Sequence, residues 1–182
     1  MQDKLEDLRI DLIKKGFLRE SVQVEKIIKK FAKKRKAIYT AAFLTDAAKI
    51  ELKNWWKLKT QTDLLDNEFV HHMTIKFKPT PDDVLSLPIG EKVSLKVMGY
   101  AGDEKGQAVV VSPVGVISSN DIPHITVSTG NTDDDKRVSP AYSNDLLSGG
   151  IEQASDGPLL EAFIGFFNGK EIRYDFEDSI YE

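Results

Sequence analysis

Residues 37–46, Ala37-Ile-Tyr-Thr-Ala-Ala-Phe-Leu-Thr-Asp46, mark the point where the chain changes character. The first eight are a near-continuous apolar run of strand length, and Thr45-Asp46 then supplies a side chain able to cap a helix. A strand leading straight into a helix is therefore predicted. That helix, 46–59, sets Ala47, Ile50, Leu52, Trp55 and Trp56 near its buried side, with both tryptophans read as core. Upstream, Leu5, Leu8, Leu12 and Ile13 recur at helical spacing, Gly16 interrupts, and Leu18, Val22, Ile27, Ile28 and Phe31 resume the stripe. Two amphipathic helices, arranged as a hairpin, fit this segment.

Downstream the period changes to two. Residues 69–77 read as a strand ended by Pro79 and Pro81, 91–100 and 107–111 as a hairpin about a turn at 102–106, and 123–129 as a further strand. A polar loop covers 130–137 and a short helix or turn 144–147. Two last strands, 159–167 and 171–176, flank Asn168-Gly169, a strong hairpin signal. Helices segregated from a mainly antiparallel sheet system define an α+β fold. The division expected is a basic helical extension over 1–36 and one domain over 37–182.

The 182 residues, 41% hydrophobic and 30% charged, suit one folded domain with an extension. With no cysteine, disulfides, thiol nucleophiles and thiolate metal centres are excluded. A charged N-terminus and the lack of any apolar run of about 18 residues predict a cytoplasmic chain with no signal peptide and no membrane partner. The net charge of −4 is uneven: residues 1–36 hold twelve Lys/Arg against six Asp/Glu, leaving 13 against 23 in the remainder. Lys26, Lys29, Lys30, Lys33, Lys34, Arg35 and Lys36 form a run that either solvates a helix or contacts nucleic acid. The same helices would also serve as an oligomerisation or docking element; the oligomeric state is not legible from the sequence.

Two of the three histidines open the same tetrapeptide form, His72-Met-Thr-Ile75 and His124-Ile-Thr-Val127. On a strand, His72, Thr74 and Lys76 share one face and Met73, Ile75 and Phe77 the other; His124, Thr126 and Ser128 likewise oppose Ile125 and Val127. By the same alternation His71 faces away from His72. Two such strands side by side would gather two imidazoles and two hydroxyls around one cleft. Imidazole titrates near pH 6.5, so one ring can accept a proton while its partner donates one, and threonine hydroxyls can bond phosphate oxygens. No metal or other cofactor is needed. The acidic residues near the motifs do not complete a metal ligand set, and the phosphate-binding glycine loop, the Gly-x-Ser-x-Gly elbow and the His-Glu-x-x-His helix are absent.

This pair of His-x-Thr-x motifs resembles the two-histidine phosphoesterase superfamily, the LigT-like or cyclic-phosphodiesterase-like proteins, over roughly residues 37–176. The resemblance implies a bilobal fold, two mainly antiparallel sheets around a central groove, and a metal-independent phosphodiesterase in which His72, Thr74, His124 and Thr126 are catalytic. The expected substrate is a cyclic phosphodiester of a nucleotide or of an RNA end, such as a 2′,3′-cyclic phosphate. Cyclic di- or oligonucleotide messengers are the second class, and a module that binds an RNA end or nucleotide without turnover is the rival reading. Tyr39, Lys76, Ser128, Tyr142 and Ser143, with Asn144 beside them, are the candidates for holding substrate by stacking or hydrogen bonding.

Overall fold

The computed structural model describes residues 2–25 and 37–175. The basic run from Lys26 to Lys36, Ile27, Ile28 and Phe31 of the second expected helix, and Phe176 at the end of the last expected strand lie outside them.

Strand β1 (Tyr39–Leu44) is buried along nearly its whole length, which is why its sequence is apolar throughout instead of alternating. It pairs with β3 (His72–Phe77) on one side and β8 (Leu159–Phe167) on the other. The ring continues from β3 through β6 (His124–Thr129) and β5 (Gly106–Val114) to β4 (Lys92–Gly102), and β4 pairs back onto β8. Every pairing is antiparallel, and the sheet closes into a barrel. Two-residue strands extend it: β2 (Asn67–Glu68) on β6, β7 (Glu152–Gln153) on β4 and β9 (Ile172–Arg173) on β8.

The chain is thus a mixture of α and β, as read from the sequence, but its strands form one sheet where two around a groove were expected. The reason is β8, whose first half binds β4 while its second half binds β1, stitching the early and late strands into one cylinder. The interior is filled by alternate residues such as Met73, Leu95, Val97, Val109, Ile125 and Leu160, all fully buried. At about 1.5–3 kcal/mol per large apolar side chain removed from water, this core dominates the stability.

Helix α3 (Asp46–Thr60) starts where Thr45 accepts a hydrogen bond from the amide of Ala48. Its buried stripe is Ala48, Leu52 and Trp56, spaced at i, i+4 and i+8, and these join the barrel core. Ala47 faces solvent and Ile50 is 59% exposed, so the expected stripe is displaced round the helix. Pro81 opens α4 (Pro81–Leu85), a helical turn fixed by a reciprocal capping box between Thr80 and Asp83. At the N-terminus α1 (Gln2–Lys14) is followed by helical residues 18–25 (α2), with Gly16 at φ +82° making the break. Leu8, Ile13, Phe17, Leu18 and Val22 are exposed, so much of the apolar stripe of this pair is uncovered by the described residues. No helix among the described residues is long and apolar enough to cross a membrane.

Candidate active site

Met73 on β3 pairs with Ile125 on β6, and both side chains enter the barrel. Carrying the antiparallel pairing one residue each way sets His72 opposite Thr126 and Thr74 opposite His124 on the outer face. By this extended register the four motif residues stand at neighbouring positions of one face, on either side of the Met73–Ile125 pair. Diagonal positions in such a ladder lie about 7–8 Å apart, within reach of a group held between two rings. The two histidines also sense each other, since His124 contributes to lowering the pKa of His72.

Each imidazole is anchored through Nδ1. His124, 8% exposed, donates from Nδ1 to the carbonyl of Ile122 at 2.8 Å. The Nδ1 of His72 lies 3.0 Å from the Nδ1 of His71. On both rings Nε2 is the nitrogen left without a described protein partner. Burial pushes both pKa values down; on His124 the Ile122 carbonyl works in the opposite direction. On His72 the neighbouring His71 and His124 add to burial and hold the ring at about 4. Burial thus favours the neutral form of both rings in the unliganded protein, and an anion between them would raise both values.

His71 corrects the sequence reading. Between Glu68 and Met73 the chain advances five residues while its partner retreats only three, from Ser128 to Ile125. The excess is absorbed in a bulge where Val70 takes φ +39°, so the two-residue alternation does not extend back through His71. His71 consequently meets His72 edge to face, with its pKa lowered by burial and by the Lys49 ammonium.

Tyr39 stacks on His72, with ring centroids 4.9 Å apart and planes 17° from parallel. Phe43, which pairs with His72 across the ladder, packs on both histidines. A shift in register between Thr40 and Ala41 accommodates this arrangement. On the opposite side Thr126 shares a 2.9 Å hydrogen bond with Ser143, itself 1% exposed near the start of α5 (Tyr142–Gly149). Ser143 thus reaches the patch through Thr126. Lys76 forms a 2.8 Å ion pair with Asp83 of α4, whose pKa falls to about 2 through that lysine and the Thr80 bonds. The loop between β5 and β6 closes a further side, where Ser118 donates to the carbonyl of Thr74 at 2.8 Å. No described residue bonds the Thr74 hydroxyl.

Two expected substrate contacts lie elsewhere. The β5–β6 register shifts so that Ala108 pairs with Thr126 but Gln107 with Ser128, leaving Val127 as an extra residue. Ser128 is thereby taken off the motif face; fully buried, it donates to Gln107 and accepts from the amide of Leu65. Tyr142 donates its hydroxyl to Asp103 in the β4–β5 turn at 2.6 Å, a bond that pushes its own pKa up to about 12. Asn144 bonds the carbonyl of Ala141 in its own helix turn. Among the described residues, no group of three or more His, Asp or Glu side chains is placed to hold a metal ion.

Comparison with protein-family models and with curated proteins finds no match to this chain.

Proposed function

We propose that the protein is a metal-independent phosphodiesterase of the two-histidine type, acting on a cyclic phosphodiester of a nucleotide or RNA end. The observation that supports this reading is the pairing of β3 with β6, in which two His-x-Thr motifs share one face and each imidazole is tethered by Nδ1 with Nε2 free. Water attacks phosphorus as the P–O bond to the departing oxygen breaks. His72, kept neutral by its surroundings, accepts the proton of that water at Nε2; His124, whose imidazolium the Ile122 carbonyl stabilises, delivers a proton to the departing oxygen. Thr74 and Thr126 donate hydrogen bonds to the non-bridging oxygens, where negative charge develops. The bilobal arrangement that the motif resemblance implies is not needed for this chemistry, because adjacent strands of one barrel supply both halves of the pair.

The test is a hydrolysis screen with EDTA present, using 2′,3′-cyclic mononucleotides, cyclic dinucleotides and an oligonucleotide ending in a cyclic phosphate. Turnover of one class, lost in both His72→Ala and His124→Ala, is the expected result. Binding without turnover would make the groove a nucleotide-binding module, and activity abolished by EDTA and restored by a divalent cation would overturn the metal-independent mechanism.

A further inference from the structure

A single proton lies between the Nδ1 atoms of His71 and His72 when both rings are neutral, since one nitrogen must donate and the other accept across their 3.0 Å contact. The two arrangements differ at the far side of His72. If His71 donates, His72 carries its proton on Nε2 and cannot take another there without becoming an imidazolium that points its proton at the groove. If His72 donates, its Nε2 is a bare lone pair.

We infer that His71 is a positioning residue: its Nδ1 accepts the Nδ1–H of His72, fixing the tautomer in which His72 presents an unprotonated Nε2 to the groove. This rests on the phosphodiesterase reading for its consequence, the use of that lone pair as a base, but not for the tautomer itself.

Three observations carry it. Tyr39 and Phe43 pack against the ring of His72, and an Nε2–H there would be a donor with no described protein partner. His124, on the paired motif strand, is anchored in the same sense, through an Nδ1–H given to Ile122. The bulge at Val70, a β-branched residue at positive φ, is a costly conformation, and what it achieves is to turn His71 onto His72. The other titratable groups facing the pair are Tyr39 on β1, stacked on His72, His124 on β6, and Lys49 on α3, whose charge disfavours a doubly protonated His71 and so keeps one of its two nitrogens an acceptor.

The imidazole 15N shifts and long-range 1H–15N couplings of the unliganded protein read the tautomer directly. The expected spectrum has His72 protonated at Nδ1 and bare at Nε2; a His72 protonated at Nε2 in the wild-type protein overturns the inference whatever the enzyme does. In His71→Phe the His72 signals should shift toward the Nε2–H form, and kcat should fall about 10- to 100-fold, as when an outer partner of a functional imidazole is removed. His71→Asn, whose amide oxygen also accepts from Nδ1–H, should restore the wild-type tautomer and most of the rate. Equal loss in the Asn and Phe variants with an unchanged His72 tautomer would make His71 a packing residue. Correct tautomers in a protein that turns over none of the cyclic phosphodiesters would leave the positioning role standing and remove the phosphodiesterase reading.

Discussion

The phenol ring of Tyr39 lies 4.9 Å from the imidazole of His72 and nearly parallel to it, so the imidazole is held on one side by an aromatic face. Tyr39 is among the residues expected to hold substrate by stacking or hydrogen bonding, and one of its faces is applied to His72. A stacked pair of this kind contributes about 0.5–1.5 kcal/mol beyond its buried area. Tyr39→Phe should therefore keep turnover within about two-fold of wild type, whereas Tyr39→Ala should lower kcat by about 3- to 10-fold, read from initial rates on the preferred cyclic phosphodiester. Equal losses in the two variants would point to the hydroxyl.

The histidines should act as one unit. His72→Ala and His124→Ala should each reduce turnover by about 10²- to 10⁴-fold, and the double variant should be far less than multiplicatively worse. With His72 required neutral and His124 required charged, the profile of kcat/KM against pH should be bell-shaped. Because the pKa of His72 is held near 4 and that of His124 below 6.5, the optimum should lie on the acid side of 6.5. A plateau running through pH 8 would exclude His124 as the acid.

Acid should also weaken the fold. The unfolded chain protonates His72 near pH 6.5 but the folded protein only near 4, so between those values the unfolded state binds more protons. The stabilisation is complete above 6.5 and is lost as the pH falls through this window, by on the order of 3 kcal/mol for His72. Denaturant unfolding at pH 7, 6 and 5 should show a steeper decline for the wild-type protein than for His72→Asn; parallel curves would refute the buried neutral ring.

Met73 and Ile125 connect stability to chemistry. They face each other, fully buried, where the two motif strands pair, so Met73→Ala should cost about 2–5 kcal/mol. Since the same pair sets which residues stand opposite each other, kcat should fall even at temperatures where the variant remains folded. Full activity in a folded Met73→Ala protein would show that the ladder alone maintains the patch.

Ser143→Ala tests the other side of the patch. It removes one of the two partners of the Thr126 hydroxyl, the other being the Pro140 carbonyl at 3.4 Å, at a site 1% exposed, and should cost about 1 kcal/mol in a denaturant titration. A smaller fall in kcat than that of Thr126→Ala is expected, because Ser143 orients a hydroxyl and does not itself meet the phosphate.

Local pattern made much of this site legible. The His-x-Thr-x spacing on two strands assigns a chemical face and an apolar face to each, and Met73 and Ile125 do enter the core while the histidines and threonines stay outside. What local pattern could not supply is which residue stands opposite which, since the Met73–Ile125 register is fixed by partners 52 positions apart. Closure of the sheet was hidden for the same reason: nothing within residues 159–167 announces that one strand serves two neighbours. Bulges account for the errors at single residues. A positive φ at Val70 runs against the preference of a β-branched side chain, so the sequence gives no hint that His71 turns toward His72, and the extra residue at Val127 moves Ser128 off the face that alternation assigned to it. The only visible sign of the His71 role was the doublet itself, two adjacent histidines in a chain with three.

Ring closure also governs how this molecule meets its own copies. An open sheet ends in strands whose amides and carbonyls invite a stranger's backbone, and long flat edges of that kind seed fibrils. Here the path of strands ends in β7 and β9, each two residues long, while the long apolar strands are spent on one another. Among the described residues, the strands at the two ends of that path thereby offer only two-residue templates for cross-β growth.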